Sequence, residues 1–461
     1  MKMQKEFIVA MELGSSHLSA IAGKKEADGS LRILALERED SSSYIRRGAV
    51  FNIDKTVQSL SNIIQRLQTQ LKTEITQVYV GVGGQSVRSE KNIITKDLAP
   101  DTIITDRMVV ELMDANRELK YPGQEIIDVI NQEHKVDTQY LTEAVGIQCS
   151  HLEGNFLNIL QRKLFNQNLN RCFQDAGITI AELITAPIAL ADNILTDAEK
   201  RSGCALVDIG SSTTTVLVYS KNMLRRLVVI PLGSGNITKD IASLQIDEEE
   251  AEKLKIQYGC ALTQDEETEE ESYPVEGDRQ IEASLLRNIV EDRTEELIKN
   301  VWKQIFLEYN DGLNGGIILT GGGSNLKGLA EAFRYHTHAE KIRIAGTISR
   351  NVISSLSDIN AKDGSMTTLL SLLARGERNC AGGPFDPEDM FGQKPKKPAG
   401  PTPEELRQEQ LRKQREQEEA ERAAREEQER IERERQNNTP LQKIGRGIKK
   451  IFTKITEEEQ E

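Results

Sequence analysis

The chain has 461 residues, a net charge of −14 and 29% charged residues. That length allows two or more domains, and the acidic balance disfavours generic nucleic-acid binding. Its five cysteines, Cys149, Cys172, Cys204, Cys260 and Cys380, form no CxxC pair and read as reduced thiols of a cytosolic protein rather than a disulfide or zinc framework. The apolar start at 7–13 is short, is broken by Glu12 and leads into a glycine turn, so it reads as a strand and not as a signal peptide. No run is long enough to span a bilayer, and any membrane contact is expected to be peripheral.

In chain order, apolar strands are predicted at 7–13, 18–23 and 31–36. A helix is predicted over 54–71, with Asp54 as N-cap and Val57, Leu60, Ile64, Leu67 and Leu71 as one stripe. A strand at 78–82 closes on Gly83-Gly84. Between 85 and 163 the pattern changes to shorter mixed segments with a polar helix near 106–119, which reads as an inserted subdomain. The first half then resumes with a helix at 166–176, a strand at 178–184 and a helix from Pro187 to 195. The β-β-β-α-β order up to residue 82 is what one half of an actin-like α/β fold would give.

From Cys204 the plan repeats: strand, turn, strand, a short turn at Lys221-Asn222, then a strand at 224–231. Gly233-Ser234-Gly235-Asn236 opens a helix whose N-terminal amides could face a phosphate. Another helix starts at Asp247, with Glu250 completing a capping box, and ends at Gly259. On it Glu252 and Lys255 share a face, either as a solvated ion pair or at the edge of a ligand site. Residues 265–274 read as a mobile acidic loop, and 279–302 as strand-to-helix structure packed on the second half.

Three glycine turns punctuate this order and carry the chemistry. The first two, VAMELGSSHLSA and ALVDIGSSTTTVLVY, share one design: strand, acid (Glu12 or Asp208), glycine (Gly14 or Gly210), two hydroxyl residues, strand. In the third, GIILTGGGSNLKGL, a strand runs into Gly321-Gly322-Gly323 and a helix. Such glycines let backbone N–H groups approach a phosphate, and the acids can hold a hydrated Mg²⁺ beside it. One such turn alone would read as a hairpin. Two matched turns and a glycine-rich strand-to-helix junction point to a nucleotide cleft between two related halves.

After about Arg375 the globular pattern is expected to stop. Residues 380–403 read as a flexible linker rich in proline, glycine and lysine. Residues 404–436 are almost wholly Glu, Gln, Arg and Lys, either a solvated helix about 50 Å long or a disordered spacer. In LQKIGRGIKKIFTKI the apolar residues Leu441, Ile444, Ile448, Ile451, Phe452 and Ile455 form one narrow helical stripe. Lys449 and Lys450 stand among the basic residues on the other faces. A basic amphipathic helix on a tether fits an interfacial membrane anchor. Docking on its own domain is the alternative. A single short helix binds weakly, so self-association would add avidity.

With these residues in place, the chain resembles the FtsA family of actin-like bacterial cell-division proteins, within the actin/MreB/DnaK-type ATPase superfamily. The segments that carry the likeness are ELGSS, VIPLGSGNITKDIA, EAEKLKIQYGCAL, ILTGGGSNLKGL and, in the insertion, VINQEHKVD followed by VGI. The resemblance implies four subdomains: IA at 1–84 and 164–203, IC at 85–163, IIA at 204–236 and 304–376, and IIB with adjoining IIA helices at 237–303. A Pro/Gly linker at 377–403, a charged spacer at 404–438 and a membrane-targeting helix at 439–461 complete the expected order. It also implies ATP with Mg²⁺ in the cleft, self-assembly into filaments, anionic inner-membrane lipids and other divisome proteins as partners, and capture of the FtsZ C-terminal tail. On this likeness Gly14, Ser15, Ser16 and His17 belong to the first phosphate turn, and Asp208, Gly210, Ser211, Ser212 and Thr213 to the second. Gly321, Gly322 and Gly323 form the adenosine turn, Glu252 and Lys255 sit at the nucleoside helix, and Arg279 and Arg293 hold the acidic tail. Arginine suits that last task because its fork donates two bonds to a carboxylate; a surface ion pair with Glu291, Asp292 or Glu295 is the other reading. The second turn departs from the family's DIGGGT and lacks the aspartate two residues on, with Ser211, Ser212 and Thr215 instead. ATP binding with slow hydrolysis is therefore expected. Two other readings stay open: a PilM-like adaptor of a different membrane machine, and a small-metabolite kinase, for which no further catalytic acid is evident.

Overall fold

The computed structural model describes residues 6–263, 272–276, 279–306 and 313–383. The expectations for residues 384–461 and for the acidic segment 264–271 lie outside these. The first half begins with β1 (Ile8–Leu13), β2 (His17–Lys25) and β3 (Leu31–Asp40), a meander in which β1 is buried at all but one position. The short pair β4 (Ile45–Arg46) and β5 (Ala49–Val50) leads to α1 (Ile53–Leu71). Asn52, not the expected Asp54, caps that helix: its side chain accepts from Lys55 N at 3.1 Å, leaving Asp54 as a favourable acid in the first turn. The strand β6 (Val78–Val82) then lies parallel to β1.

The insertion comprises β7 (Arg88–Ile103), α2 (Asp106–Arg117), β8 (Gln124–Val136), β9 (Gln139–Leu141) and β10 (Gln148–Arg162). Its strands run to 16, 13 and 15 residues, not the short segments expected. Along β7 half-buried and exposed positions alternate among polar residues such as Glu90, Lys91 and Lys96, so apolar periodicity understates its length. Half-buried Asn92 and buried Asn116 and Asn158 fasten α2 to β7 and β10, with Asn92 Nδ2 donating to Asn116 Oδ1 at 2.9 Å and Asn116 Nδ2 to Asn158 Oδ1 at 2.6 Å. After the insertion come α3 (Lys163–Asp175), β11 (Ile180–Thr185), α4 (Ala186–Ile194) and α5 (Asp197–Ser202). The first sheet is ordered β11-β6-β1-β2-β3, with a sixth strand at its β3 edge.

The second half repeats the meander with β12 (Cys204–Ile209), β13 (Thr214–Ser220) and β14 (Met223–Ile230). Lys221 and Asn222 both take positive φ in the turn between the last two, the conformation of a tight hairpin turn. Then follow α6 (Ser234–Ala242), α7 (Glu248–Tyr258), β15 (Ser272–Val275), β16 (Arg279–Glu282) and α8 (Ala283–Phe306). The capping box expected at Asp247 does not form: Asp247 makes no side-chain cap bond, and Glu250 lies 3.8 Å from Lys253 Nζ instead. Residues 272–274, expected in a loop, belong to the hairpin β15–β16, where Pro274 sits opposite Gln280 in a two-stranded ribbon that tolerates it. On α8, Leu286, Leu297 and Val301 are buried and Leu285 is exposed.

The strand β17 (Gly316–Thr320) lies parallel to β12, as β6 does to β1. A turn of 3₁₀ helix, α9 (Leu329–Thr337), β18 (Ile342–Ile344), β19 (Val352–Ile353), α10 (Ser357–Asn360) and α11 (Thr367–Arg375) complete the described chain. The β19 strand is the edge of the first sheet. The second sheet runs β18-β17-β12-β13-β14 and continues through one pair, Val228 with Arg88, into the insertion's β7-β10-β8-β9.

Two boundaries differ from the expected ones. Residues up to 376 were expected in the second half, yet Leu369, Leu370, Leu372 and Leu373 of α11 belong to the buried core around β1 and β2. Leu373 and Leu372 close on Gly23 and Gly81, where an added Cβ would come within 2.8 and 2.6 Å of their methyl groups. Each buried leucine contributes about 2–3 kcal/mol to that packing. The globular pattern also runs past Arg375: Cys380 is fully buried, its N–H donates to Phe7 O at 2.8 Å, and Ala381 bridges Ile75. Short sequence and a glycine hid this strap, since it has no periodicity of its own.

Candidate functional site

The site is built from the ends of β1 and β12. Glu12 stands opposite Ser19 in the first hairpin and Asp208 opposite Thr215 in the second, so the two acids hold equivalent places in equivalent hairpins. The turn at Gly14 is tight enough that a Cβ there would lie 2.8 Å from His17 O. It is braced from outside, with Ser41 Oγ donating to Gly14 O at 2.6 Å and Gly48 N donating to Ser15 Oγ at 2.9 Å. In the second turn Gly210 N donates to Thr213 O at 2.9 Å. Gly321, at φ +85°, lies directly against this hairpin: a Cβ would be 2.4 Å from Asp208 Oδ1, which only glycine allows.

These turns face one cleft of about 1220 Å³, lined from the first half by Glu12, Gly14, Ser15, Ser16, His17 and Arg38. The second half contributes Asp208, Gly210, Ser211, Ser212, Thr213, Thr215, Gly235, Glu252, Lys255, Gly321, Gly322 and Gly323. Two residues expected at the ligand, Gly233 and Asn236, are not among the lining. The amide end of α6 is already used: Gly233 N donates to Asn236 Oδ1 at 3.0 Å, Ser234 N to Gly210 O at 2.9 Å and Gly235 N to Ser211 O at 2.7 Å. The helix therefore braces the second turn rather than offering its N–H groups to an anion, as the glycine motif had led us to expect.

Electrostatics single out the cleft floor. Burial, and next the charge of Asp208, pushes Glu12 up to about 8, while Arg38 pulls it the other way. Burial alone pushes Asp208 up to about 6, with no hydrogen bond or cation offsetting it. Two such carboxylates gain from a divalent cation between them. An all-oxygen pair suits a hard, mostly hydrated ion such as Mg²⁺; no cluster of three metal-ligating side chains occurs among the described residues. At the second turn Ser212 Oγ is buried with no hydrogen-bond partner, a vacant donor beside the backbone loop. His17 is held below its usual range by burial and then by Arg38, so its ring is neutral near pH 7.

The Glu252–Lys255 pair is solvated on one side only: the Glu252 side chain is 44% exposed, whereas the lysine is buried. Lys255 is 7% exposed, and its Nζ donates to Glu252 Oε2 at 2.7 Å and to Thr238 Oγ1 at 2.9 Å. Arg38 and the turn Asp363-Gly364-Ser365 also line the cleft and were missed. Arg38 reaches it through the β2–β3 register, opposite Ser19, which no local pattern shows. Gly364 (φ +81°) packs against Gly321, and an Asp-Gly pair was the available signal.

The two arginines expected to hold an acidic partner lie away from the cleft at the far end of α6. Arg279 donates to Gln245 O at 2.7 Å and Leu244 O at 2.9 Å. Arg293 Nε donates to Asp240 Oδ2 at 2.5 Å and its Nη1 to Glu296. Its partners are thus neither Glu291, Asp292 nor Glu295. The residues expected to form a membrane-binding helix lie outside the described residues, and no helix of the described residues is long and apolar enough to cross a membrane.

Two repeated α/β halves, with matched acid–glycine turns facing across a cleft, define an actin-like fold. A solved PilM–PilN type IV pilus biogenesis complex shares it, with a TM-score of 0.55 at 16% identity over 80% of this chain and 98% of that one. The family model for cell division protein FtsA matches residues 205–362, and that for the SHS2 domain inserted in FtsA matches residues 84–160. The cell division protein FtsA of Bacillus subtilis is 31% identical over 70% of this chain and 75% of its own length. That of Pseudomonas aeruginosa is 30% identical over 71% and 80%. The chain belongs to the FtsA family of actin-like cell-division proteins.

Proposed function

We propose that this protein binds ATP with Mg²⁺ in the cleft and polymerises on the cytoplasmic face of the inner membrane at midcell. There it tethers the FtsZ ring through the basic amphipathic segment 441–455. The observation that carries the nucleotide reading is the pair of equivalent turns whose acids, Glu12 and Asp208, face one cleft with burial raising both. Glu12 and Asp208 would hold the hydrated cation, the Gly14–Ser16 and Gly210–Thr213 turns the phosphates, and Lys255 with Gly321–Gly323 the nucleoside. The cation would neutralise phosphate charge there. Capture of the FtsZ tail is assigned to Arg279 and Arg293 on the family likeness. Hydrolysis is expected to be slow, because Thr215 stands where an aspartate is usual in the family. The proposal is tested by co-sedimentation of the full chain with anionic liposomes, with and without ATP, against a chain ending at Thr439. ATP-promoted sedimentation that the truncation abolishes supports it; equal recruitment of the truncated chain overturns the anchor.

A further inference from the structure

The helix α6 is held at both ends by the two sites just assigned. At its N-terminus, Ser234 N and Gly235 N are bonded to Gly210 O and Ser211 O of the second turn. At its middle, Thr238 Oγ1 donates to Glu252 and accepts from the buried Lys255, which also reaches Ser234 O at 3.4 Å. At its C-terminal end Asp240 holds Arg293, and the carbonyls of Leu244 and Gln245 just beyond are held by Arg279. The helix is nine residues long and apolar on its inner face, where Ile237 and Ile241 pack with Leu286 and Val290. It is short and packed enough to move as one piece.

We propose that α6 is a rod linking the cleft to the Arg279–Arg293 face, so that a nucleotide in the cleft and an acidic peptide on that face oppose each other. The inference rests on the reading of those two sites given above. Asp240 and the two carbonyls already occupy the arginine forks, so they act as an internal stand-in for the peptide's carboxylates. A nucleotide contacting the second turn and Lys255 favours the docked position of α6, in which the forks are filled. A peptide favours the position in which they are released. Two ligands that prefer different positions of one element weaken each other by the same factor, which for such coupling is about five-fold or more.

Two measurements on the full chain test this, each on wild type and Asp240→Asn, which keeps the side chain's shape and removes its charge. The first is amide hydrogen exchange at 242–246 with and without Mg-ATP and with no peptide present. The second is binding of an acidic peptide, the C-terminal tail of the host FtsZ, with and without Mg-ATP. The inference predicts exchange at least about five-fold slower with Mg-ATP, and peptide binding at least about five-fold weaker. In Asp240→Asn the peptide should bind more tightly and lose its response to nucleotide. Unchanged exchange, peptide affinity that is equal or tighter with nucleotide, or the same response in Asp240→Asn overturns it. If no peptide binds, the tail-capture reading fails, and the exchange result alone decides whether α6 transmits. If no nucleotide binds, both the cleft reading and the rod fall.

Discussion

Glu12→Gln, in protein freed of nucleotide and metal, probes the cost of the cleft floor. Glu12 is raised from 4.5 to about 8, so between those values the folded chain keeps a proton that the unfolded chain has released. Its contribution is therefore complete below pH 4.5 and is lost as pH rises through about 8. At about 1.4 kcal/mol per unit the full shift corresponds to roughly 5 kcal/mol. Water entering through the cleft reduces this to about 2–4 kcal/mol. Glutamine keeps the shape and removes the charge. The variant should match wild type near pH 4.5, where the carboxyl is protonated, and melt roughly 5–15 °C higher at pH 8.5, taking about 2–4 °C per kcal/mol. Thermal melts in EDTA across pH 4.5–8.5 read this directly, and adding Mg-ATP to wild type should flatten its slope. Equal pH slopes in the two proteins would refute the claim that burial raises Glu12 and makes its ionisation costly.

Gly321→Ala forces a side chain into a left-handed position with Asp208 Oδ1 at 2.4 Å; left-handed strain and overpacking together should cost about 2–5 kcal/mol, seen as a lower Tm and lost nucleotide binding. Ser212→Ala removes a buried hydroxyl without a partner. It should leave the apo protein as stable or up to about 1 kcal/mol more so, yet weaken nucleotide about tenfold by calorimetry; unchanged affinity would remove Ser212 from the site. Burial holds His134 on β8 below its usual 6.5, so the folded insertion resists protonation that the unfolded chain accepts. Its stability should fall as pH drops below about 6.5, read as loss of exchange protection in β8, and His134→Leu should remove that dependence.

Much of the first half was legible because its strands are short, apolar and punctuated by glycine: 78–82 was placed to the residue. The two acids were legible for a different reason. Glu12-x-Gly14 and Asp208-x-Gly210 repeat one spacing, and repetition survives where a single hairpin signal is ambiguous. What stayed hidden depended on tertiary contact. Arg38 enters the cleft by cross-strand register, the α6 amides are claimed by carbonyls 24 residues earlier, and α11 crosses back to the first sheet to bury its leucines. The insertion's strands were underestimated because β7 and β8 carry charge on half-buried positions, and apolar pattern alone cannot follow them.

The most direct test of the account is fluorescence-anisotropy binding of the host FtsZ tail peptide to the full chain, wild type against Arg293→Glu. The account predicts binding by wild type that the charge reversal weakens at least tenfold, by loss of a charge-assisted contact of about 1.5–3 kcal/mol and addition of a repulsive one. A folded, nucleotide-binding wild type that fails to bind the peptide would contradict it.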